Sequence, residues 1–270
     1  MGLPARLPHL MDLRIAIIGH GAIAVHVRGK LAGLHVTEIA QIVRPGKESG
    51  EDAPPRISDL NDLPLHPDLV IDCGGHQALA QHGPVALALG IDVMTVSLGA
   101  LADRQVEQSL KDAATKGGAR LHLVSGAIGG LDALRGASTG AIIEVSYIGR
   151  KPPGGWHGSP AEAVLDLDAL TEAATHFSGT AREAALAYPK NANVAAAVAL
   201  AGIGLDQTQV QLIADPTVTE NLHEVTAKGD FGTFTFTIAG NGLPQNPRSS
   251  SLAAMSIVAA LAERQKQIGF

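Results

Sequence analysis

The chain has 270 residues, 46% of them hydrophobic and 17% charged, with a net charge of −6. That supports one or two domains with buried cores, and the acidic balance argues against nucleic acid or an anionic membrane surface as a partner. Aromatic residues make up only 3%, which leaves few stacking platforms for single-stranded nucleic acid, and the single cysteine, Cys73, excludes an internal disulfide and fits a reducing, cytoplasmic location.

The first apolar run, Ile15 to Ile18, is broken by Gly19, His20 and Gly21, too soon for a signal peptide or a membrane span. It reads as a strand. Ile23, Val27 and Leu31 then recur on one helical face, with Gly33 as the stop. Val36 to Val43 reads as a second strand, and the polar, Pro- and Gly-rich segment 44–67 as loop with at most one short helical piece. Asp68 to Cys73 is a third strand. A helix follows from Gln77 to Leu89, with an irregularity expected at Gly83-Pro84. Asp92 to Ser97 is a strand; Val106, Leu110 and Ala114 mark a helix ending at Gly117-Gly118; Arg120 to Ser125 is the next strand. Strand and helix alternate throughout, which predicts an α/β, Rossmann-type, doubly wound parallel sheet.

Beyond Ser125-Gly-Ala-Ile-Gly-Gly130, expected to be a hinge, the pattern changes. Ala141 to Ile148 reads as a strand and Lys151 to Gly155 as a loop. Segment 161–205 looks helical, with breaks near Ser178-Gly179 and at Pro189. Gln209–Ala214, Leu222–Ala227 and Gly232–Ala239 read as strands. The last alternates Thr233, Thr235 and Thr237 with Phe234, Phe236 and Ile238, the mark of a sheet packed on one face. This predicts a second, α+β domain with a mixed or antiparallel sheet. Ser249 to Gln265 reads as a helix with Leu252, Met255, Val258 and Leu261 on its buried side. The expected division is a dinucleotide-binding domain over 1–127, to which 249–270 returns, and a catalytic, substrate and oligomerisation domain over 128–248.

The turn Gly19-His20-Gly21-Ala22-Ile23-Ala24 lies between a strand and a helix and has the Gly-x-Gly-x-x-Ala spacing of a pyrophosphate-binding turn. The first glycine permits the tight turn, the second lets the backbone approach phosphate, and Ala24 lets the helix pack near the strand. Arg44 stands at the end of the second strand, where an acid would bond the ribose 2′-hydroxyl of NAD. An arginine there accepts a 2′-phosphate, and it reads equally as a solvated loop residue. Cys73 is placed to line the nicotinamide pocket, without a flanking base to make it a nucleophile. Of the eleven histidines, none has metal-ligand spacing, so no metal is expected. His223 lies within the second domain's sheet region with Asn221 and Val225 on its face, and by pattern alone it reads first as a structural or surface histidine. Lys190, Asn191 and Asn193 stand before an Ala-rich helix. They read as an anion-facing cluster or simply as its cap.

Several segments together carry a resemblance. Gly19-His-Gly-Ala-Ile-Ala24, Asp72-Cys-Gly-Gly-His-Gln77, Ser97-Leu-Gly-Ala-Leu-Ala-Asp103, Ser125-Gly-Ala-Ile-Gly-Gly-Leu-Asp132, Tyr188-Pro-Lys-Asn-Ala-Asn193 and Asn221-Leu-His-Glu-Val225 make the chain similar to the L-aspartate dehydrogenase family, in order and over nearly its whole length. The resemblance implies that His223 is catalytic and that Ala127 and Asn193 contact the dinucleotide. It implies NAD or NADP as cofactor and the reversible oxidative deamination of L-aspartate through iminoaspartate, able to feed NAD biosynthesis. Lys190, beside Asn191, is the first candidate to hold a substrate carboxylate, and a homodimer is expected. The alternatives are another two-domain Rossmann oxidoreductase acting on an aspartate-derived semialdehyde or homoserine, and a regulator that binds NAD(P)H without turnover.

Overall fold

A computed structural model describes residues 12–48, 54–189 and 191–269. Strands β1 (Leu13–Ile18), β2 (Val36–Ile42), β3 (Arg56–Ile57), β4 (Leu69–Asp72), β5 (Asp92–Thr95) and β6 (Leu121–Leu123) form a parallel six-stranded sheet in the order β3-β2-β1-β4-β5-β6. Helices α1 (Ala22–Arg28), α2 (His76–Ala88) and α3 (Arg104–Gly117) connect them. The strand order reverses between β1 and β4. Ligands of open α/β sheets bind at that reversal, beyond the carboxyl ends of the strands. This is the doubly wound sheet that the alternation predicts.

Local chemistry sets the element ends. Asp103 accepts the N–H groups of Gln105 and Val106 to start α3, and Gly118, at φ 64°, ends it in the left-handed region. Helix α1 is shorter than its apolar spacing suggests. It stops at Gly29, and a separate 3-10 turn carries Leu31 to Gly33. The irregularity expected at Gly83-Pro84 does not interrupt the helix, and α2 runs through Pro84. Leu79, Ala86 and Leu87 are fully buried on the sheet, and that packing outweighs the lost hydrogen bond of a helix-interior proline. Gly83 has a packing role instead: a Cβ there would lie 2.8 Å from Leu110 of α3. The 44–67 segment, expected as loop, contributes β3, a two-residue edge strand too short to leave a periodic signal.

The chain then enters a second sheet. Helix α4 (Leu131–Ala137) leads to β7 (Ile142–Lys151), β8 (Ala174–Thr180), β9 (Gln209–Ala214), β10 (Asn221–Gly229) and β11 (Gly232–Gly240), arranged β11-β10-β7-β9-β8. Only the β7–β9 pair is parallel, so the sheet is mixed. Helices α5 (Ala181–Ala187) and α6 (Asn193–Ala201) pack their alanines against it.

Two expectations fail here. Residues 174–180 form β8, not helix, pairing antiparallel with β9; Thr180 then opens α5 through a capping box with Glu183. His176 of β8 is buried at 7% exposure against Trp156 and Tyr188. Lys151, assigned to a loop, is the last residue of β7.

A short hairpin, β12 (Gly242–Leu243) with β13 (Asn246–Ser250), precedes α7 (Ser251–Glu263), whose start is capped by the Ser250 hydroxyl. The buried face of α7 is Ala254, Ile257 and Leu261; Met255, expected inside, is 50% exposed. Ile257 and Leu261 join Ile15, Ile17, Ala24 and Val27 in one core beneath the first sheet. Among the described residues no helix is long and apolar enough to cross a membrane, and no cluster of His, Cys, Asp and Glu is arranged to hold a metal ion.

Candidate active site

The glycine turn stands at the strand-order reversal. Gly19 adopts φ +97°, and a Cβ there would lie 3.1 Å from the Cys73 carbonyl oxygen and the Gly74 Cα, so only glycine fits between the ends of β1 and β4. Gly21, by contrast, has no atom within 4 Å of where its Cβ would be, and it faces solvent. Close approach to a large anionic ligand needs that open space. Arg28, which sequence reasoning passed over, braces the turn: its guanidinium pairs with Glu38 at 2.8 Å and donates to the Gly19 carbonyl at 3.2 Å. His20 is exposed, Ala22 half-buried and Ala24 fully buried under the turn.

At the ends of β4 and β5 a buried chain of hydrogen bonds fixes the crevice wall. Thr95 Oγ1 donates to Asp72 at 2.7 Å and accepts from the Ser97 N–H at 2.8 Å; Asp72 also accepts from the Gly74 N–H at 2.9 Å. Cys73 is half-buried beside it, and burial together with the Asp72 carboxylate pushes its thiol well above the ordinary range. The thiol stays protonated and is no nucleophile. Arg44 lies exposed just past β2.

The two sheets meet at Asn193. Its Oδ1 lies 2.9 Å from the Gly99 nitrogen and 2.8 Å from His76 Nε2. The Gly99 N–H can only donate, so this atom is the carbonyl oxygen, His76 carries its proton on Nε2, and the Asn193 amide group is left to donate elsewhere. Next to it a cavity of about 160 Å³ is lined by Ile23, Ser125, Gly126, Ala127, Lys151, Asn191, Asn193, Asn221 and His223. Residues far apart in sequence are thus brought together: Ile23, Ala127, Asn191, Asn193 and His223 share one wall. A larger hollow of about 640 Å³ shares Lys151, Asn191 and Asn221 with it. Lys190 lies outside the described residues.

His223 is 4% exposed and sits on β10 opposite Gly149 of β7. Its Nδ1 is 2.7 Å from the Tyr147 hydroxyl, which leaves Nε2 as the nitrogen free for a ligand. Burial, and secondarily the charge of Lys151, lowers its pKa to about 3, so the ring is neutral at physiological pH. Burial raises the Tyr147 pKa, so the phenol is neutral as well. Lys151 is 8% exposed, donates to Asn191 Oδ1 at 3.0 Å, and is lowered by burial to about 8. Sequence reasoning missed Lys151 and Tyr147. The only available signal was the length of the alternating run before Pro152.

Open space over Gly21, a donor amide at Asn193 and the cavity that Ile23 and Asn193 both line suit a dinucleotide. The chain matches the family model described as homoserine dehydrogenase, NAD binding domain, over residues 19–124, and that described as aspartate dehydrogenase, C-terminal, over 132–264. Its cofactor is NAD or NADP. It is 56% identical to the L-aspartate dehydrogenase of Ruegeria pomeroyi, covering 93% of this chain and 92% of that one. It is 45% identical to the L-aspartate dehydrogenase of Cupriavidus necator, covering 93% and 97%. Among solved structures, aspartate dehydrogenase from Thermotoga maritima superposes with a TM-score of 0.76 at 25% identity, over 96% of this chain and 99% of that one. Likeness of this extent across both sheets places the chain in the L-aspartate dehydrogenase family.

Proposed function

We propose that this enzyme carries out the reversible, NAD(P)-dependent oxidative deamination of L-aspartate to oxaloacetate and ammonia. The observation that carries the reading is a neutral, buried imidazole held by Tyr147 on the wall of a cavity shared with Ala127 and Asn193. The bound cofactor supplies the hydride acceptor. What the chain supplies is position and proton transfer.

The base form of His223 is the tautomer in which Nδ1–H donates to the Tyr147 oxygen, leaving Nε2 bare toward the cavity. It takes a proton from the substrate ammonium or from the attacking water, and returns one as ammonia leaves. Tyr147 accepts from Nδ1 in both states, so the imidazolium forms without losing a partner. Transfer by a positioned group of this kind is typically worth about 10²- to 10⁴-fold. Gly19 to Ala24 seat the pyrophosphate, Ala127 and Asn193 contact the nicotinamide end, and Arg44 meets the 2′-phosphate of NADP. Cys73 borders the pocket without entering the chemistry. Its protonated thiol argues against a semialdehyde dehydrogenase, which needs a thiolate. The exposed, threonine-lined face of the second sheet supports a homodimer, to be read by light scattering, and the lone thiol supports a cytoplasmic location.

The test is reduction of NAD⁺ and NADP⁺ followed by absorbance, with L-aspartate and with L-homoserine. Turnover of aspartate alone is expected, with kcat for His223→Ala lower by about 10²-fold or more at unchanged cofactor affinity. Cofactor binding without turnover would favour the regulator, and a fully active His223→Ala would remove the proposed base.

A further inference from the structure

The ammonium of Lys151 is buried, yet the protein gives it little to hold. Its Nζ donates to Asn191 Oδ1 at 3.0 Å and lies 4.9 Å from the centroid of the Trp156 ring. Among the described residues no carboxylate pairs with it, whereas its chain neighbour Arg150 is matched by Asp215. One amide oxygen and one ring face leave a buried cation short of both acceptors and negative charge. An apolar side chain of the same length would be more stable there, so the charge answers to something other than protein.

Its position says what that is. Lys151 lines both the smaller cavity that also holds His223 and the larger hollow next to it. His223 pairs across the sheet with Gly149, and Lys151 lies two residues further along the same strand, on the same face. That makes His223 and Lys151 diagonal neighbours, roughly 7–8 Å apart with their Cβ atoms somewhat closer. A four-carbon amino acid bridges such a gap when its Cα–N bond lies at the imidazole. Of its two carboxylates, the one on the side chain reaches farther from Cα and so meets the ammonium.

Resting on the function proposed above, we infer that Lys151 binds the side-chain carboxylate of the substrate and thereby selects dicarboxylic amino acids. Asn191 holds the ammonium in place between turnovers.

The experiment runs the reverse reaction, NADPH and ammonia with oxaloacetate or with 2-oxobutyrate, which lacks the second carboxylate. Lys151→Met is expected to lower kcat/KM for oxaloacetate by about a hundredfold, equivalent to about 2.7 kcal/mol, chiefly through KM. The loss on 2-oxobutyrate should be far smaller than that on oxaloacetate, the NADPH affinity and the melting temperature should not fall, and Lys151→Arg should recover most of the loss. A purely structural lysine would lower stability and both substrates together. An equal loss on both keto acids, a loss confined to kcat, or the same loss in Lys190→Met with none in Lys151→Met would overturn the assignment. Wild-type protein that reduces neither keto acid would refute the function and this assignment with it. A wild type active on oxaloacetate beside an unchanged Lys151→Met would refute the assignment alone.

Discussion

Replacing His223 with asparagine should change how the apoprotein responds to acid. In the folded state this histidine titrates near 3, against an ordinary value of 6.5, because burial and the nearby Lys151 charge oppose protonation. Between those two values the unfolded chain takes up a proton that the folded chain refuses. Stability is therefore intact above 6.5 and is lost as pH falls toward 3. At about pH 5 the gap is about 1.5 units below the unfolded value, and at 1.36 kcal/mol per unit this amounts to about 2 kcal/mol. His176, lowered to about 4 by burial and again by Lys151, adds a second contribution of the same sign. Asparagine keeps a polar group for Tyr147 and does not titrate. Urea unfolding of wild type and His223→Asn at about pH 7.5 and about pH 5 should show the wild type losing about 2 kcal/mol more than the variant. Parallel losses in the two proteins would mean that His223 protonates freely while folded, and the buried neutral base would have to be abandoned.

Other substitutions separate binding from folding. Gly21→Val has free space for its side chain, so it should fold and melt like wild type while weakening dinucleotide affinity by about tenfold or more; unchanged affinity in a titration of cofactor fluorescence would move the pyrophosphate elsewhere. Arg44→Ala should weaken NADP(H) by about tenfold and leave NAD(H) alone, since only a 2′-phosphate uses the guanidinium; equal effects on both would make Arg44 a bystander. Tyr147→Phe removes the hydrogen-bond partner that His223 Nδ1 has among the described residues and should lower kcat by about 10- to 100-fold with KM for aspartate within about twofold. Unaltered kcat would reduce the phenol to a packing element.

The first sheet was legible because its signals are local. Short apolar runs end in glycines, caps such as Asp103 stand three residues before a periodic face, and the Gly19–Ala24 turn has fixed spacing. The second sheet was less so. Ala174 to Thr180 reads as helix beside so many alanines, and it becomes β8 only because β9 offers a partner thirty-odd residues later. The Pro-Pro-Gly-Gly run after Lys151 reads as loop, and it masks the fact that β7 carries that lysine into the interior. His223 could be flagged by family likeness, but its neutral state depends on burial and on Lys151, neither of which any stretch of sequence contains. The same holds for Met255: helical periodicity gives two candidate faces, and contact with α1 decides between them.

The shared core of α7 and β1 has a consequence for how the protein is made. Ile15 and Ile17 leave the ribosome about 240 residues before Ile257 and Leu261, which cover them. Until α7 emerges the nascent nucleotide-binding half carries an uncovered apolar floor, open to chaperones or to wrong partners. Its sheet can pair as it emerges, yet it cannot be sealed until α7 has followed it out.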